Sequence, residues 1–246
     1  MQASDQSARR APGWAALAAC IARAGVTLLL AANVSAAQDL PDTLGQRMQA
    51  CMGCHGNEGR ATNHGYLPRI AGKPAGYLYN QLVNFREGRR PNADMAALLQ
   101  HMTDDYLRDI AGYFAASKLP YPPPQTTGAD AAVLSRGQAL VRQGDAAQGI
   151  PACVQCHGAA MTGVRPSVPG LLGLPRDYLL GQLGAWRSGQ RRAASPDCMA
   201  HIARQLQPAD VGALATWLSS QPVPGDAEPA DGLPLPPPAD CGSGLP

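Results

Sequence analysis

The chain has 246 residues, 20 Lys+Arg against 18 Asp+Glu for a formal net charge of +2, and only 15% charged and 5% aromatic side chains. That length suits one or two small domains, and the lack of a basic stripe excludes a nucleic-acid-binding surface. Aromatics this sparse, beside 27 Gly and 23 Pro, suit a core in which a bound group supplies apolar bulk that side chains would otherwise provide.

Residues 1–37 read as a secretory signal. Arg9, Arg10 and Arg23 form its basic region, Gly25 to Val34 its apolar run, and Val34-Ser35-Ala36 the small residues that direct cleavage after Ala36 or Ala37. The run is too short for a dependable membrane span. Two alternatives stay open: an uncleaved anchor, and a lipid on Cys20, since Leu17-Ala18-Ala19-Cys20 resembles a lipoprotein box although the residues after it remain apolar. Without the first 36 residues, 17 basic and 17 acidic side chains remain, so the mature chain is near neutral.

A short helix is expected from Asp42 to Cys51, capped by Asp42. It leads into Cys51-Met52-Gly53-Cys54-His55, which recurs as Cys153-Val154-Gln155-Cys156-His157. Cys-x-x-Cys-His is the attachment pattern of a c-type haem. The two thiols add to porphyrin vinyl groups, and the following imidazole binds iron. A zinc site would need two further ligands near each copy, and a thioredoxin-like pair would need strand–helix alternation around it. The reading is therefore two covalent haems, held by Cys51 and Cys54 and by Cys153 and Cys156, with His55 and His157 on iron.

Residues 56–73 read as a loop along the haem edge. A helix follows Pro74, with Tyr77, Leu78, Gln81, Leu82 and Phe85 on one face, and Gly88 to Pro91 ends it. Met95 falls in a loop or short turn. A last helix runs from about Thr103 to Ala116, with Thr103 as cap, Asp104 and Asp105 at its positive end, and the stripe Leu107, Ile110, Ala111 and Phe114. A proline-rich linker follows, at 120–130. The second half repeats the first: Tyr178, Leu179, Gln182, Leu183 and Trp186 mirror Tyr77, Leu78, Gln81, Leu82 and Phe85. Its final helix has Pro208 near the first turn and carries Val211, Leu214, Trp217 and Leu218. No segment shows sustained strand alternation. The Pro-rich tail, 222–246, is expected to be largely disordered.

A second protein ligand closes a haem iron to small molecules and suits it to carrying electrons. Met95 lies 40 residues beyond His55 and Met199 lies 42 beyond His157, each at the same interval before its half's last helix. They are the candidate axial thioethers. Met48, Met102 and Met161 read as core fillers, and Met52 sits between haem cysteines and cannot cross the ring. His64, His101 and His201 compete less well, because His101 and His201 have no counterpart in the other half. Pro68 and Pro169 are candidate carbonyl acceptors for the second N–H of each axial imidazole. Cys198 and Cys241 remain. Cys198 is either a disulfide partner of Cys241, which export favours, a free buried thiol, or a thiolate that would replace Met199.

On these residues the chain resembles a dihaem cytochrome c of the cytochrome c4 type. The resemblance covers about residues 42–220 and rests on both haem motifs, Pro68 with Ala71-Gly72, Tyr77-Leu78 with Gln81-Leu82, Gly88 with Arg90, Met95, and the same series to Leu218. It implies an all-α fold of two tandem class I cytochrome c domains, at 38–119 and 131–221, packed about a pseudo-twofold axis. It also implies a periplasmic carrier, soluble or peripherally membrane-associated, between a respiratory donor such as a bc-type complex or dehydrogenase and a terminal oxidase. No paired carboxylates or Ser/His arrangement surround the motifs, so no catalytic group is assigned and an enzyme is not expected. The alternatives are a dedicated cytochrome subunit of a dehydrogenase and a haem enzyme with an open or Cys-ligated second haem.

Overall fold

The computed structural model describes residues 41–61, 66–225 and 227–244. The leader, with Cys20, Ala36 and Ala37, and His64 lie outside them. Each half folds as five helices around its own apolar cluster. In the first half these are α1 (Leu44–Arg47), α2 (Gln49–His55), α3 (Ala75–Arg86), α4 (Ala93–Leu99) and α5 (Asp104–Ala116). In the second they are α6 (Ala131–Gln143), α7 (Val154–His157), α8 (Arg176–Arg187), α9 (Cys198–Gln205) and α10 (Pro208–Ser220). The fold is all-α apart from two-residue strands at Gly163–Val164 and Val168–Pro169, which pair antiparallel within the loop after α7. No helix among the described residues is long and apolar enough to cross a membrane.

Local chemistry sets the boundaries. Thr43, not Asp42, caps α1, its hydroxyl accepting from Gln46 N at 3.3 Å. The expected single helix breaks at Met48, which is buried and caps the C-terminus of α1. Asn92 accepts from Met95 N at 2.9 Å and so starts a helix where a loop was expected. Thr103 caps α5, and Leu107, Ile110, Ala111 and Phe114 bury its stripe against α3. In the second half α10 lies between α6 and α8 and is buried nearly all round. Its one buried carboxylate, Asp210, accepts from Arg136 Nε of α6 at 2.7 Å, as a buried charge requires.

Gly137 lets α6 and α10 approach. A Cβ there would stand 2.6 Å from Trp217 Cβ and would also press on Ala213 O. Gly137→Ala should therefore destabilise the protein by roughly 1–2 kcal/mol in urea unfolding, overpacking outweighing the helix propensity of Ala. Gly112→Ala, on the exposed side of α5 with open space around it, should stabilise slightly.

The linker is laid down rather than free. Arg69 donates to Leu119 O at 2.6 Å and Pro120 O at 2.9 Å, and stacks 4.0 Å from the Tyr121 ring. Gln125 N then donates to Ser219 O at 2.9 Å. Among its described residues the tail has no helix, in keeping with its Pro and Gly content, but it departs from the expected disorder. Ala230 bridges to Val164, Arg165 pairs with Glu228 and Asp231 at 2.6 Å each, and Asn80 Nδ2 donates to Ser243 O at 2.8 Å. Cys198 and Cys241 are joined as a disulfide with Cα atoms 5.6 Å apart. Composition does not reveal these specific partners, which replace the hydrophobic burial the tail lacks.

Candidate haem sites

Cys51, Cys54 and His55 sit at i, i+3 and i+4 on α2, so they share one face. Met48 and Met52 are buried at the base of the helix, 1% and 8% exposed, and lock it to the first-half core. Cys153, Cys156 and His157 repeat this spacing on α7, where Cys153 is the N-terminal cap. None of the four cysteines is engaged in a disulfide. Before attachment, burial pushes the Cys51 and Cys156 thiols up and takes Cys153 up to about 11. No group of three or more His, Cys, Asp or Glu among the described residues is arranged to hold a bare metal ion, which leaves each Cys-x-x-Cys without the further ligands that zinc demands.

Both imidazoles are oriented from behind. His55 Nδ1 lies 3.0 Å from Pro68 O, and His157 Nδ1 lies 2.8 Å from Pro169 O. A carbonyl only accepts, so the proton sits on Nδ1 and Nε2 keeps its lone pair for iron. Burial pulls both imidazoles below the usual histidine range. Their carbonyl partners act the other way, and the charge of Arg90 near His55 and of Lys73 near His157 adds to the fall. Each ring is thus held neutral, as iron ligation requires.

Met95 is half-buried on α4 and packs on the first-half core. Met199 is half-buried in the first turn of α9, where the carboxylate of Asp197 accepts from Ala200 N at 3.0 Å and the disulfide holds Cys198. Each lies nine residues ahead of its half's last helix. Cys198, being in the disulfide, offers no thiolate to iron. His201 Nε2 is 2.8 Å from the Gln205 side chain, one turn along α9, and His101 is exposed.

The sequence reading overlooked a polar seam between the halves. Gln81 Oε1 accepts from Arg90 Nη1 at 3.0 Å and Arg191 Nη2 at 2.7 Å. Gln182 Oε1 accepts from Arg90 Nη2 at 2.8 Å and Arg191 Nη1 at 2.5 Å. Arg90 also reaches Tyr178 OH at 3.0 Å. The guanidinium planes lie over Phe85 at 4.4 Å and Trp186 at 3.6 Å. Every pair here (77/178, 81/182, 85/186, 90/191) differs by 101 residues, and that constant offset was the available signal. Burial, with Arg90's charge behind it, takes Arg191 down to about 10. Neither guanidinium has a carboxylate partner among the described residues. The acidic propionates of a porphyrin are the counter-charges this pair suits. Thiols, imidazoles and guanidiniums together fit a haem in each half.

The fold and these paired motifs define a dihaem c-type cytochrome. No protein-family model matches the chain. It is 35% identical to the thiosulfate dehydrogenase electron acceptor of Thiomonas intermedia, over 71% of this chain and 79% of that protein. It is 33% identical to cytochrome c4 of Pseudomonas aeruginosa, over 68% and 82%. The crystal structure of reduced recombinant cytochrome c4 from Pseudomonas stutzeri matches with a TM-score of 0.60 at 28% identity, covering 72% of this chain and 95% of that one. The chain belongs to the cytochrome c4 family: an electron-transfer protein of two tandem cytochrome c domains that carries two c-type haems.

Proposed function

We propose that this protein is a periplasmic carrier that takes single electrons from one redox protein and passes them through both haems to another, without substrate chemistry of its own. Bound haem supplies the reversible ferric–ferrous couple. The polypeptide fixes the two imidazoles through Pro68 and Pro169, offers Met95 and Met199 as closing thioethers, and clamps the halves together. The observation that carries this reading is the seam, in which each glutamine oxygen accepts from arginines of both halves. A relay between two centres needs that fixed relation. The Cys198–Cys241 disulfide favours an oxidising compartment such as the periplasm. The test is carbon monoxide added to the fully reduced protein. Both haem spectra should stay unchanged; an adduct at either haem would restore the open-site enzyme.

The resemblance to the Thiomonas electron acceptor favours a second reading of the partner, as a dehydrogenase that oxidises thiosulfate. Purified thiosulfate dehydrogenase and thiosulfate should then reduce both haems without a mediator. A protein that stays ferric under those conditions removes this partner.

A further inference from the structure

Lys73 belongs to the first half, yet its amine is committed to the second. Its side chain is 3% exposed, and Nζ donates to Gly170 O at 3.0 Å. Gly170 follows Pro169, whose carbonyl orients His157. Lys73 has no ion pair among the described residues. Its charged neighbour is Arg69, and the nearby Glu228 is engaged with Lys118 and Arg165 at 2.6 Å each. The arrangement has no mirror image. Gly72 and Pro74 match Gly173 and Pro175, so the counterpart of Lys73 is Leu174, a buried apolar residue. Among the described residues, the loop behind His55 therefore receives no amine from the second half.

We propose that Lys73 is a positioning residue that makes the two haems unequal, its ammonium raising the reduction potential of the second-half haem and leaving the first nearly untouched. The inference rests on the reading of His157 as an iron ligand. Oxidising the iron adds a positive charge, and a fixed cation in the same low-dielectric interior disfavours that state. The hydrogen bond to Gly170 fixes where the cation stands. The amine is therefore poised to give electron flow a direction that the otherwise repeated halves lack.

The test is a spectroelectrochemical titration of the haem-loaded protein at pH 6. Burial, with Arg69's charge behind it, takes Lys73 down to about 7, so the amine is charged there. Lys73→Met keeps the length and removes the charge. Replacing an unpaired buried charge by an apolar side chain of similar size also removes the cost of keeping that charge from water. Lys73→Gln keeps a donor without the charge. Both variants should lower one of the two one-electron waves by about 59 mV, a tenfold change in the ferrous-to-ferric ratio. The wave that moves should be the one Met199→Ala also lowers. Waves unchanged in both variants, or a shift confined to the wave that Met95→Ala lowers, overturn the inference. The ligand assignment is tested separately, by the Met variants alone.

Discussion

Met199→Ala is expected to remove the near-infrared charge-transfer band of one ferric haem. It should also lower that haem's potential by on the order of 100 mV or more, since axial ligands move haem potentials over roughly 0.8 V. Met95→Ala should do the same to the other haem, and the double variant to both. The reason is chemical: thioether sulfur stabilises ferrous iron, and alanine leaves water or nothing in its place. The two methionines stand nine residues ahead of α5 and α10 and are half-buried, one beside the first-half core and one in the first turn of α9. Spectroelectrochemistry of the three variants measures both effects. Unaltered bands and potentials would show that neither sulfur binds iron.

Replacing Cys198 and Cys241 together by Ser should cost roughly 3–4 kcal/mol, the chain-entropy value for a bridge across a sequence separation of 43. At this size that is about 10 °C in melting temperature. The bridge holds the tail where Gly242 N donates to Pro196 O at 2.9 Å, immediately ahead of α9. Loss of the bridge should thus loosen the turn that carries Met199 before it touches the first half. Calorimetry with and without reductant gives the magnitude. The charge-transfer band of the second haem, followed on heating, gives the order of events. A melting temperature indifferent to reductant would show that the bridge adds no stability.

Much of the fold was legible because haem attachment imposes a rigid local pattern. Cys-x-x-Cys-His names its own chemistry, and the face formed by Tyr77, Leu78, Gln81, Leu82 and Phe85 has helical period twice over. Thr103 and Pro208 marked helix starts that the structure shows at Asp104 and Pro208. Other elements were hidden for physical reasons. The sequence of α6 carries Val133, Leu134, Leu140 and Val141 at helical spacing, but Gly137 interrupts the stripe and its burial depends on α10, far along the chain. The short α4 and α9 owe their starts to single Asx side chains, Asn92 and Asp197. The tail looked disordered because its order comes from long-range partners such as Arg165, Asn80 and Cys198. The Arg90–Arg191 seam escaped notice because two arginines look like surface charge until a second domain buries them.

That seam also constrains how the molecule is put together. Two positive groups, 8% and 3% exposed, face each other across the joint between the halves, and the shared oxygens of Gln81 and Gln182 are what let them approach. Each glutamine oxygen accepts from guanidiniums of both halves, so neither half can turn about the joint without stripping acceptors from two buried cations at once. The electronic distance between the two centres is thereby held constant by a pair of neutral amides.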